Sequence, residues 1–126
     1  MGVLKAQVDL YEKGYFVCIP LTEHGSFDLV IVKDKERKTV QVKARNLKDG
    51  KFTINFRQVY SDSKGVHTLH WNKDDIDVVC VYCFDTDKCY YFDPKKYNRS
   101  LTLRVDTPKN NQLKYVQFVE DFLTVP

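Results

Sequence analysis

The segment from Asp77 to Phe84 constrains the fold more than any other part of the chain. Between those two residues run Val78-Val79-Cys80-Val81-Tyr82-Cys83, six apolar side chains without a polar interruption. Successive strand residues point to opposite faces, so such a run has no face to give to water and belongs at the centre of a sheet. A different pattern marks Lys51-Phe52-Thr53-Ile54-Asn55-Phe56-Arg57, where polar and apolar residues alternate. That alternation predicts one half-buried strand with Phe52, Ile54 and Phe56 inward and Lys51, Thr53, Asn55 and Arg57 outward.

Around these two runs the remaining elements follow. Residues 3–13 predict an amphipathic helix, with Val3, Leu4, Gln7, Val8 and Tyr11 at helical spacing and Gly14 as its stop. Short strands are expected over Tyr15–Ile19, Phe27–Val32 and Lys38–Ala44, with a charged turn over Lys33–Arg37. Residues 60–65 predict a loop, Val66–Trp71 an edge strand, Cys89–Phe92 the return strand after Asp77–Phe84, and Leu101–Val105 another strand. Pro94 suits the start of a short helix. Asn110–Phe122 carries Leu113, Val116, Val119 and Phe122 at helical spacing. The whole reads as an α+β domain over residues 1–126, a central mixed sheet flanked by helices, with a basic β insertion over about residues 45–73.

The net charge of +3 is unevenly spread: residues 33–73 hold eleven Lys or Arg against four Asp or Glu. Such a block predicts a polyanion-binding surface, most simply nucleic acid. Arg45, Lys48, Lys51, Thr53, Asn55, Arg57, Lys64, His67 and His70 are its candidate contacts. Arg and Asn suit guanine and adenine edges, and the rest suit phosphates.

Asp28 stands at the head of an apolar run, where a carboxylate is costly unless it is paired or binds a metal. Thr39-Val40-Gln41-Val42-Lys43 follows one turn later, and strand parity puts Gln41 and Lys43 on one face and Val40 and Val42 on the other. A hairpin would bring Asp28, Gln41 and Lys43 together. The group suits phosphodiester hydrolysis: Asp28, the Gln41 amide oxygen and the Val42 carbonyl as ligands of Mg²⁺ (or Mn²⁺), with Lys43 acting on the attacking water or the transition-state charge.

The spacing from Asp28 to Gln41-Val42-Lys43 resembles the PD-(D/E)XK nuclease superfamily, whose core has a helix and then three strands, with Asp on the second strand and (D/E)XK on the third. The longer string Gly14 to Lys43, with Gln in place of the acid, is similar to a subgroup that includes group I intron-encoded homing endonucleases of cyanobacteria. The resemblance implies a site-specific double-stranded DNA endonuclease acting as a homo-oligomer, a dimer or tetramer. It also implies a carboxylate on the first helix, about where Val3 falls; Gln7, Asp9 and Glu12 are the possible substitutes. The alternatives are a resolvase or repair-type nuclease of the same fold, or a catalytically inactive DNA-binding module. For an oligomer, Cys89-Tyr90-Tyr91-Phe92 and the terminal helix are candidate interface pieces.

The four cysteines stand in a chain without a recognisable export signal, so reduced thiols and a cytoplasmic bacterial location are expected. His67-x-x-His70 with Cys80-x-x-Cys83 superficially fits zinc, but an i, i+3 pair within a strand points to opposite faces and cannot share one ion.

Overall fold

In the computed structural model the chain is described over residues 1–21, 26–70, 72–106 and 116–126, and over residues 57–61 and 67–70 for the backbone alone. The elements in chain order are a helix, α1 (Gly2–Glu12), and nine strands. These are β1 (Phe16–Cys18), β2 (Leu29–Lys33), β3 (Glu36–Arg45), β4 (Lys51–Asn55), β5 (Arg57–Asp62), β6 (Gly65–His70), β7 (Val78–Cys83), β8 (Lys88–Phe92) and β9 (Ser100–Arg104). Short 3-10 turns occupy Lys73–Asp75, Pro94–Lys96 and Val119–Phe122.

Five strands form the main sheet in the order β1-β2-β3-β7-β8. The β3–β7 pair is parallel and the other pairs are antiparallel, so the sheet is mixed. Every residue of β7 is buried, as its unbroken apolar run requires. Strand parity divides those side chains between two cores. Val78, Cys80 and Tyr82 pack with Ala6 and Leu10 of α1, Leu29, Ile31, Val40, Val42, Cys89 and Tyr91. Val79, Val81 and Cys83 pack on the other face with Phe52, Ile54, Leu101 and Leu103 of the β4–β9 pair and with Val119 and Phe122. Cys80 and Cys83 therefore serve opposite cores, which rules out a shared zinc ion.

Three expectations are corrected. Residues 51–57 are not one strand: β4 ends at Asn55, Phe56 sinks into the core with its N–H donating to the Arg99 carbonyl at 2.9 Å, and Arg57 opens β5. Burial of the Phe56 ring turns the chain out of the β4–β9 sheet. Residues 60–65 are not a loop, because β5 and β6 form a hairpin in which Asp62 pairs with Gly65. The terminal helix is a single 3-10 turn over Val119–Phe122, preceded at Phe118 by a bridge to Arg104; residues 110–115 lie outside the described part. The helix α1 is where expected, but its buried residues are Ala6 and Leu10, while Val3, Leu4, Val8 and Tyr11 face outward.

No described helix is long and apolar enough to cross a membrane.

Candidate active site

The site begins with a turn. The β2–β3 hairpin closes over Asp34 and Lys35, both at positive φ (52° and 69°), between the paired Lys33 and Glu36. Two residues of that handedness make the type I′ turn that matches strand twist. The tight turn sets the register, which pairs Leu29 with Val40. Leu29 is the last paired residue of β2, and one step before it Asp28 bonds back to β3 outside the ladder. The side chains of Leu29, Val40 and Val42 point into the α1-side core. The parity expected for Gln41 and Lys43 is what the fold produces.

Asp28 is held twice. Its backbone N–H donates to the Val40 carbonyl at 2.8 Å, and its side-chain Oδ2 accepts from the Val42 N–H, also at 2.8 Å. The carboxylate takes the place that the backbone of β2 would occupy had the ladder continued. In an extended strand the N–H and C=O of one residue point to the same side. The Val42 carbonyl is therefore directed toward the same edge as the Asp28 carboxylate, beyond the last ladder pair. Gln41 and Lys43 pair in register with Val79 and Val81 of β7, which fixes the other side of β3.

Lys43 is partly buried. Burial, and then the Arg45 guanidinium two residues along the same face, hold its ammonium below the usual lysine range; the Asp28 carboxylate acts in the opposite sense.

The candidate oxygens on this stretch of β3 and at the head of β2 are the Asp28 carboxylate, the Gln41 amide and the Val42 carbonyl. Among the described residues no three His, Cys, Asp or Glu come together as a metal-holding group. A hard divalent cation that keeps several waters and takes phosphate oxygens fits so sparse a set, whereas zinc does not.

The helix does not supply an acid. Gly2 packs against β3, where an added Cβ would lie 3.2 Å from the Ala44 Cβ, but Val3 is apolar and partly exposed. Asp9 cannot substitute: it accepts from the Tyr91 hydroxyl and from Lys13 on the α1 side of the sheet, away from Gln41 and Lys43. Glu12 is exposed at the far end of the helix.

The predicted DNA contacts fall into three groups. On β4, Lys51, Thr53 and Asn55 are exposed and Phe52 and Ile54 buried, as the alternation requires. Thr53 is tied sideways to Thr102 at 2.8 Å. Arg45 spends its guanidinium on the Thr53 and Ala44 carbonyls, and Lys48 forms a bridge with Lys51. Farther along the chain, Lys64 sits exposed at the β5–β6 turn, while Arg57 pairs with His70 and Tyr60 with His67 across the hairpin. The side chains of Arg57, His67 and His70 lie outside the described part.

Asp77 escaped the sequence reading. Its Oδ2 accepts from the Thr39 N–H at 2.9 Å, pinning β3 to the entry of β7 as Asp28 pins it at the end of β2. The signal was available, since both acids immediately precede an apolar run. Lys95 pairs with its other oxygen at 3.5 Å, which marks Asp77 as a structural clasp.

A helix packed on a mixed sheet, with an acid at the head of the second strand and a lysine on the third, defines a nuclease core, and the PD-(D/E)XK endonuclease family model matches residues 1–125. The chain belongs to that family. Among solved structures it is similar to a bacterial homing endonuclease, I-Ssp6803I, at a TM-score of 0.73 and 20% identity, over 90% of this chain and 78% of that one. No curated protein matches.

Proposed function

We propose that the chain is a site-specific double-stranded DNA endonuclease of the intron-homing kind that hydrolyses phosphodiesters with Mg²⁺ (or Mn²⁺) held by Asp28, Gln41 and the Val42 carbonyl. The observation that supports the reading is the hydrogen bond from the Val42 N–H to Asp28, which holds the carboxylate against the Gln41–Val42 peptide. Bound there, the cation would lower the pKa of a coordinated water and offset charge on the scissile phosphate. Asp28 gives the site its charge, and the Gln41 oxygen supplies a neutral donor where most of the family has an acid. Lys43, its ammonium already destabilised by burial, orients the attacking water or neutralises the developing charge.

The exposed face of β4 and the β5–β6 hairpin would form the DNA surface, with Lys51, Thr53, Asn55, Arg57, Lys64, His67 and His70 as contacts and Arg45 and Lys48 closer to the site. Several of these residues are cationic and lie in the most basic part of the sequence. One chain offers one site, and a duplex has two strands related by a dyad, so symmetric self-assembly is the economical route to a double-strand break.

The test is cleavage of duplex DNA spanning intron-free insertion sites, with Mg²⁺ and with EDTA, by wild type beside Asp28→Ala and Lys43→Ala. Metal-dependent cutting lost in both variants is expected. Cutting by either variant at the wild-type rate would remove that residue from the site. Branched-DNA substrates run alongside would distinguish a resolvase, and binding without cutting would identify an inactive module.

A further inference from the structure

Cys89, Tyr90, Tyr91 and Phe92, expected from sequence at an interface, are all buried inside the subunit. Parity sends Cys89 and Tyr91 into the α1-side core, and Cys80 of β7 enters the same core. The β7–β8 register pairs Cys80 with Tyr91 and Tyr82 with Cys89. Cys80 and Cys89 are therefore diagonal neighbours on one face of two bonded strands. Their thiols lie within hydrogen-bonding reach, with Cys80 as the donor. The other two cysteines are elsewhere: Cys83 packs in the opposite core, and Cys18 lies on β1 at the far edge of the sheet.

The two thiols differ in access. Cys80 is fully buried, whereas Cys89 forms part of the wall of a cavity of about 450 Å³ between α1 and the β7–β8 hairpin, with Lys5, Asp9, Lys13, Tyr82 and Lys88 around it. The hydrogen bond from Cys80 holds the Cys89 thiol below its ordinary range, against the effect of burial. The same bond, with burial, pushes the Cys80 thiol well above its own. A lone cysteine in an apolar core is inert. Here one sulfur borders a polar cavity and a second stands behind it with a proton to give.

We infer that Cys89 and Cys80 form a reversible dithiol oxidised by peroxide, with Cys89 attacked first and Cys80 as its resolving partner. The Cys89 thiolate attacks one peroxide oxygen, the O–O bond breaks, and the departing hydroxide takes a proton and leaves as water. Cys89 is then a sulfenic acid. The Cys80 sulfur attacks Cys89, the S–O bond breaks as the S–S bond forms, and the Cys80 proton leaves with the hydroxyl as a second water. Two thiols thus lose two electrons and two protons, and hydrogen peroxide is reduced to two waters. Diagonal residues of a sheet have Cα atoms about 7–8 Å apart, longer than a disulfide usually spans. Closing the bridge therefore draws β8 along β7, which β8 permits because it is an edge strand bonded on one side alone. A bridge strained in this way is easily reduced, so the pair acts as a switch and not as a staple. The inference does not depend on the nuclease reading.

Peptide mass mapping of the wild-type protein tests it, after treatment with a few equivalents of hydrogen peroxide and then an alkylating reagent. A peptide linked through Cys80 and Cys89 should appear, with Cys83 alkylated, and dithiothreitol should return both thiols. Cys80→Ala should leave Cys89 as the sulfenic acid, captured by dimedone about tenfold faster than Cys80 is captured in Cys89→Ala. Circular dichroism checks that both variants are folded, and the wild-type mapping stands without them. A Cys89 that stays alkylatable after peroxide, or that oxidises without linking to Cys80, would overturn the inference. Equal capture in the two variants would overturn the order of attack. Linkage formed in urea but not in the folded protein would show that the pair meets only in the unfolded chain, and would overturn it as well.

Discussion

The Asp28 carboxylate accepts the Val42 N–H at 2.8 Å from one position beyond the end of its strand. A side chain there performs the task of a missing ladder carbonyl, and its charge is brought against the Gln41–Val42 peptide as a consequence. Structure and proposed catalysis therefore use the same group, and variants must separate the two.

Asp28→Asn keeps an oxygen for the Val42 N–H and removes the charge. The fold should survive with a loss of about 1 kcal/mol, the difference between a charge-assisted and a neutral hydrogen bond. Cleavage should fall by a factor on the order of 10²–10³. Thermal melts beside cleavage rates check this, and a variant that cuts normally would show that the charge is not needed.

Lys43 links the site to pH. Its folded pKa lies below the ordinary value of 10.5, chiefly through burial. Between those two values the unfolded chain binds the more protons, so this residue makes stability rise with pH in that window and costs stability below it. Replacement by Met should remove that slope, leave the protein at least as stable at pH 7, and reduce cleavage by roughly 10²-fold. Denaturant midpoints at pH 7, 9 and 10 measure the first part. A slope identical to wild type would place the titration elsewhere.

The hairpin that sets the site is strained at Asp34 and Lys35, which both hold positive φ with a Cβ. Asp34→Asn/Lys35→Gly should stabilise the protein by about 1–2 kcal/mol without altering cleavage, since Asn-Gly suits a type I′ turn. Destabilisation on calorimetry would mean that these side chains make contacts that matter more than the backbone strain.

On the DNA surface, each phosphate contact removed should lower the slope of log affinity against log salt by about 0.9. Arg57→Ala and Lys51→Ala, titrated against duplex DNA from 50 to 300 mM salt, should each show this loss. An unchanged slope in either variant would take that residue off the phosphate backbone.

Much of this was legible in the residues. The β7 run could only be central, and the parity of Gln41 and Lys43 followed from the two-residue period of a strand. The same period, applied to Phe52 and Ile54, identified the inner face of β4. Failures came where one pattern admitted two solutions. On α1 the spacing of Leu4, Val8 and Tyr11 is as helical as that of Ala6 and Leu10, and periodicity does not say which stripe meets the sheet. Across residues 51–57 the alternation is continuous, so nothing local announced that Phe56 would leave β4 for the core and let Arg57 begin another sheet.

By itself, then, the sequence determined the helix, most strands and their inner faces, and it supplied the candidates for the reacting groups, because these follow from periodicity and side-chain chemistry over short stretches. Only tertiary structure decided which way α1 turned, where β4 stopped, that β3 runs parallel to β7, and that Asp28 meets the Val42 N–H. Those outcomes depend on register and on competition for a finite buried volume, which residues distant in sequence settle together.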